Sequence, residues 1–123
     1  MMAKPGSLKV IKVFNNNVLL GCEVPSGREV VCVGRGLGFG KEEGRCYAWV
    51  ELPVEKTFVL EDPEDARNYR MLVSRVDKQV VGVVAEFIAL AAERLGEPLS
   101  PHLHIALPDH LAFALERVRA GLE

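Results

Sequence analysis

The stretch Gly34-Arg35-Gly36-Leu37-Gly38-Phe39-Gly40-Lys41 carries the strongest chemical signal in the sequence. Glycines let another backbone or a ligand approach closely. Arg35, framed by two of them, offers a planar fork of donors suited to a phosphate or a guanine edge. Phe39, also flanked by glycines, is either open to stacking by a base or tucked into the core. Lys41 adds a point charge. The spacing does not fit a nucleotide loop. GxGxxG would need glycine at Phe39 or Lys41. Walker A would need glycine at Arg35 and Ser or Thr at Glu42.

Asn15-Asn16-Asn17 is the second candidate. Asn amides present a donor and an acceptor to base edges, so three in a row near Lys12 suit nucleic-acid contacts; equally, an Asn cluster favours an ordinary turn. Lys9 and Lys12 are one residue off a common strand face, so only one need point at a ligand.

The three histidines, His102, His104 and His110, are separated by two, six and eight residues, none of which is the i, i+4 spacing of a helical metal site. They read as polar surface or interhelical residues. No nucleophile pairs with them, so catalysis with His110 as general base is not expected. Three cysteines, Cys22, Cys32 and Cys46, are odd in number and lack a CxxC. Neither a zinc site nor a disulfide framework is expected, and the compartment should be reducing, hence cytoplasmic. No metal, cofactor or catalytic residue is assigned.

The elements that must position these groups fall into two halves. Leu8, Val10, Lys12 and Phe14 alternate with Lys9, Ile11 and Val13, a strand period. Val18–Val24 and Glu29–Val33 are further strands, separated by the turn at Pro25-Ser26-Gly27-Arg28. The glycine segment and Lys41–Arg45 should be loop, and Tyr47–Leu60 is again strand-like, with Pro53 marking an edge or break. Consecutive hairpins would make a small antiparallel sheet. From Asp62, a cap followed by Pro63, the pattern is helical. Val76, Val80, Val83, Val84, Phe87, Ile88, Ala91 and Leu95 recur at helical spacing up to Gly96. A second helical segment starts at Ser100-Pro101, and Pro108 should break or bend it. The expected class is therefore α+β, with units at 1–61 and 62–123. Neither half buries much core alone, so the sheet is expected to dimerise and the helices to pack across the dimer or begin a larger domain.

The chain has 123 residues, 49% hydrophobic and 26% charged, which fits a folded domain rather than a disordered one. The longest apolar run, Val80–Ala92, is broken by Glu86 and is too short for a membrane span. The amino terminus lacks the features of a signal peptide. Residues 1–60 carry a net charge of +2 and residues 61–123 a net charge of −4, while eight of the eleven glycines lie before residue 45. A glycine-rich basic front and an acidic rear point to different partners.

Ile11-Lys12-Val13-Phe14-Asn15-Asn16-Asn17-Val18, followed by Gly34-Arg35-Gly36-Leu37-Gly38-Phe39, closely resembles the co-antiterminator (CAT) RNA-binding domain of the BglG/SacY/LicT antiterminators. His102-Leu103-His104-Ile105-Ala106-Leu107-Pro108-Asp109-His110-Leu111-Ala112-Phe113-Ala114 resembles the start of the first phosphotransferase-system regulation domain, PRD1. The combined pattern is most similar to the glucose-responsive GlcT branch. The resemblance implies a non-enzymatic, homodimeric sheet domain that holds a leader-mRNA hairpin and so prevents a terminator from forming. RNA contacts would come from Lys12, Asn17, Gly34, Arg35, Gly36 and Phe39, with Asn15, Asn16 and Lys41 beside them. Irregular RNA fits these groups better than duplex DNA. His110 falls where the family has a regulatory phosphohistidine, which implies HPr and a sugar-specific enzyme II as partners. Pro108 stands where the family usually has Thr. The family pattern continues past Glu123, so residues 62–123 are expected to be a truncated PRD1. The alternative is an interaction or dimerisation module, without RNA, that works through its acidic helical half.

Overall fold

The computed structural model describes residues 6–121; the outermost ends of the two expected units, 1–5 and 122–123, lie outside them. Five strands, β1 (Ser7–Asn15), β2 (Val18–Val24), β3 (Glu29–Val33), β4 (Cys46–Ala48) and β5 (Lys56–Leu60), are followed by α1 (Pro63–Arg75), α2 (Lys78–Leu95) and α3 (Leu103–Arg119). The strands form one antiparallel sheet in the order β4-β1-β2-β3-β5.

The sheet is apolar on both faces because its central strands alternate two apolar sets. Val18 and Leu20 of β2 join Val31 and Val33 of β3 on one face, against Tyr69, Leu72 and Val73 of α1 and Val81, Ala85 and Ala89 of α2. Leu19, Val30 and Cys32 point the other way, to Leu8, Val10, Leu37 and Leu52. β1 does not keep the simple alternation expected of it. Register shifts between Val10 and Lys12 and between Val13 and Asn15 reverse its facing. Leu8 and Val10 therefore lie in one cluster and Phe14 in the other.

Tyr47–Leu60 is not one hairpin arm. β4 pairs with β1 and β5 with β3, at opposite edges. The chain between them crosses the sheet through a short 3-10 turn at Trp49–Glu51, and Trp49, Leu52 and Val54 cover the second face as it goes.

The helical half also differs from the two segments expected. Val76 is extended and Asp77 accepts from the Gln79 amide at 2.8 Å, which closes α1 and caps a separate α2. Asp62 caps α1 in the same way, with Pro63 in the first turn. Gly96, at φ 74°, ends α2. α3 is not broken at Pro108, which lies in its second turn. The proline leaves the His104 carbonyl without its helical donor, but its ring is buried. The helices close onto the sheet of their own chain, which supplies the core that neither half provides alone.

Of the two expected places, His104 takes the interhelical one, between α3 and α1, and is not at the surface. It is 1% exposed, with its ring 4.5 Å from that of Phe58 and 6.5 Å from that of Tyr69. Burial pushes its pKa down to about 4. His102 and His110 are exposed on the same segment. Burial also raises the Cys32 thiol to about 12, which keeps it protonated.

Candidate nucleic-acid interface

The Asn turn and the glycine segment are stitched into one unit. No residue of the turn needs a left-handed backbone, since among the described residues only glycines have positive φ. The turn closes through a side chain instead: Asn15 Oδ1 accepts from the Asn17 amide at 2.8 Å. The Gly34 amide donates to the Asn17 carbonyl at 2.9 Å, and the Gly38 amide to the Asn16 carbonyl at 2.8 Å. Asn17 Oδ1 then accepts from the Gly36 amide at 2.9 Å.

The glycines of the segment do two jobs. A Cβ at Gly34 would lie 1.9 Å from the Pro53 carbonyl oxygen, and one at Gly38 would lie 2.2 Å from the Asn15 carbonyl oxygen. These two are the close approaches. Gly36 (φ 74°) and Gly40 (φ 72°) turn the chain between and after them.

This folding decides where the side chains go. Leu37, not Phe39, is the residue tucked into the core, fully buried under the sheet. Phe39 is 72% exposed. Arg35 is exposed as well, and among the described residues its guanidinium has no ion-pair partner; its backbone amide donates to Glu55 at 3.3 Å. Lys41 is half-buried and turned back along the segment, donating to the Phe39 carbonyl at 3.3 Å with its ammonium 5.6 Å from the centre of the Tyr47 ring.

Two clefts flank the Asn turn. The first, about 640 Å³, brings Asn17, Gly34 and Arg35 together with Lys56, Glu55, Glu86 and Glu93. The second, about 470 Å³, is lined by Asn15, Asn16, Lys41, Glu43, Lys78 and Gln79. Gly36 is tied to Asn17, and Phe39 projects from the same segment. Lys12 lies half-buried on β1 and lines neither cleft, nor does His110 on α3, beside the Arg75–Asp109 ion pair.

Sequence reasoning missed the residues that α2 brings to this place. Glu86 Oε2 accepts from Asn15 Nδ2 at 2.8 Å and Glu86 Oε1 accepts from Asn17 Nδ2 at 3.2 Å. The available signal was that Glu86 is the single charge inside the longest apolar run. Lys78 and Gln79 carried no signal, because only the fold of α2 onto β1 places them beside Asn16.

The arrangement offers an exposed ring, a free guanidinium and a rigid row of amides, which are groups for stacking, phosphate contact and base-edge recognition. Among the described residues no three His, Cys, Asp or Glu side chains gather as a metal site, and no helix is long and apolar enough to cross a membrane.

The chain is similar to known proteins. The sequence model of the CAT RNA-binding domain matches residues 8–67. Transcription antiterminator LicT of Bacillus subtilis is 33% identical over 116 residues, covering 94% of this chain and 41% of LicT. The β-glucoside operon antiterminator of Dickeya chrysanthemi is 37% identical over 94% of this chain and 40% of its own length. The crystal structure of GlcT CAT-PRDI superposes with a TM-score of 0.67 at 35% identity, covering 95% of this chain and 68% of that one. The chain spans about 40% of the length of the curated relatives.

Proposed function

The chain belongs to the family of transcription antiterminators that carry a CAT RNA-binding domain, and from that premise we propose that its Asn turn and glycine segment grip a hairpin in a leader mRNA and keep a competing terminator from forming. The observation that carries the reading is the bond set of Asn17 to Gly34 and Gly36. It fixes the segment so that Arg35 and Phe39 stand out of it. Arg35 meets phosphate or a guanine edge, Phe39 stacks on an unpaired base, and Asn15, Asn16 and Asn17 offer amides to base edges. Lys12 and Lys41 add charge at the margins, and Gly34 and Gly36 let the backbone come close.

Two copies of residues 1–61 would present two such faces to one hairpin. Residues 62–123 would be the opening part of PRD1, with exposed His110 as phosphate acceptor from HPr or a sugar-specific enzyme II. Exposure of the imidazole supports that role.

Filter binding to RNA stem-loops with internal loops, at two salt concentrations, tests the proposal. Arg35→Ala and Phe39→Ala should each weaken binding at least tenfold, or about 1.4 kcal/mol, which falls within the roughly 1–3 kcal/mol of a base-stacking or bidentate contact. Absence of salt-sensitive binding by the wild-type chain would point instead to an interaction module acting through the helical half.

A further inference from the structure

α2 lies across the Asn turn, and two features of its sequence fit that placement. Glu86 gives one carboxylate oxygen to Asn15 Nδ2 and the other to Asn17 Nδ2, at 2.8 and 3.2 Å. Gly82 stands one turn earlier on the same face of the helix. A Cβ there would meet Asn15 Nδ2 at 2.5 Å and Phe14 Cβ at 3.2 Å. Glycine inside a helix weakens it. Here the missing Cβ is what lets α2 descend onto the turn.

The contact takes donors that an RNA acceptor would use. Asn15 Oδ1 and Asn17 Oδ1 are already committed to backbone amides. With Glu86 in place, each asparagine keeps a single side-chain hydrogen without a named partner. Glu55 and Glu93 line the same cleft as Glu86, so an arriving phosphate meets three carboxylates beside Arg35 and Lys56.

α2 meets β1, β2 and β3 through small side chains. Its side chains in the shared core are Val81, Ala85 and Ala89, whereas α1 contributes Tyr69, Leu72 and Val73.

We propose that α2 is a built-in competitor of RNA, in which the Glu86 carboxylate occupies the asparagine amides in place of an RNA acceptor and RNA engages the Asn turn fully only when α2 lifts away. This rests on the RNA-binding reading of the turn. When the competent state is a minor population, apparent affinity falls by that fraction, and freeing the turn restores it.

The test uses the full 123-residue chain. A hairpin is selected on the wild type from an RNA pool with randomised internal loops, and its affinity is measured for wild type, Glu86→Ala, Gly82→Ala and Arg35→Ala. Both α2 variants should bind it about fivefold or more tighter than wild type, while Arg35→Ala weakens binding. Hydrogen exchange of α2 amides in the wild type should quicken when the hairpin is added. Equal or weaker binding by Glu86→Ala, or unchanged α2 protection in the complex, overturns the competition. Failure to select any hairpin, or full binding by Arg35→Ala, overturns the RNA face itself.

Discussion

The two turns at the ends of β2 are held by different kinds of bond. At Pro25–Arg28 every hydrogen-bond partner within the turn is local. Glu23 Oε1 accepts from Ser26 Oγ and from Arg28 Nε, both at 2.9 Å, and Arg28 reaches Glu61 at 3.6 Å. At Asn15–Asn17 the side chains bond neutral amides and a carboxylate that lie far along the chain, at Gly36 and Glu86. The first turn is held mostly from within, its distant contact being the exposed Arg28–Glu61 pair. The second is bonded to the glycine segment and to α2, so its environment comes from distant parts of the chain. A recognition surface benefits from the tie to the glycine segment, because groups already held in place lose little freedom on binding.

The largest expected effect separates the two turns by their glycines. Gly34→Ala drives a Cβ against the Pro53 carbonyl and should destabilise the chain by about 3 kcal/mol or more. Gly27→Ala, at φ 81° with nothing within 4 Å, should cost only about 1 kcal/mol. Urea denaturation of both variants measures the difference, and similar midpoints would mean the glycine segment is not seated as described.

Acid probes the helical core that carries α2. His104 stays neutral when folded, with a pKa of about 4, whereas the unfolded chain takes up its proton near 6.5. Its contribution is fully present above about pH 6.5 and is lost as the pH falls towards 4, by up to about 3 kcal/mol. Stability measured across that window should decline in the wild type and decline less in His104→Phe. Parallel curves would remove His104 from the core's acid response.

The smallest effect belongs to the local turn. Hydrogen bonds from Arg28 and then Ser26 hold the Glu23 carboxyl below its ordinary value, so this contribution is present at neutral pH and is lost in acid as Glu23 protonates. Arg28→Ala should lower stability only slightly, and less still in high salt. A larger, salt-insensitive loss would show that this turn also depends on distant structure.

Much of this was legible from residue types. The strands at Val18–Val24 and Glu29–Val33, the Asp62–Pro63 start and the Gly96 stop follow from alternation, caps and breakers, because those signals act within a few residues. The bulges of β1 were not, since a register shift is set by the partner strand. Asp77 was read within a helical run although it is a capping residue. Helical spacing left His104 either at the surface or between helices, because it does not say which neighbour covers a face. At the site, the glycine and asparagine motifs announced themselves, and the exposure of Phe39 was settled only by the burial of Leu37. Glu86 was visible only as an interruption, because its partners lie about seventy residues away.

The most direct test removes one arginine from each turn. Arg35→Ala and Arg28→Ala change the net charge equally, so their RNA affinities, measured side by side over a salt series, separate a site from a general attraction. An RNA face at the Asn turn predicts at least a tenfold loss for Arg35→Ala and a change of less than about twofold for Arg28→Ala. Equal losses in the two variants would contradict it.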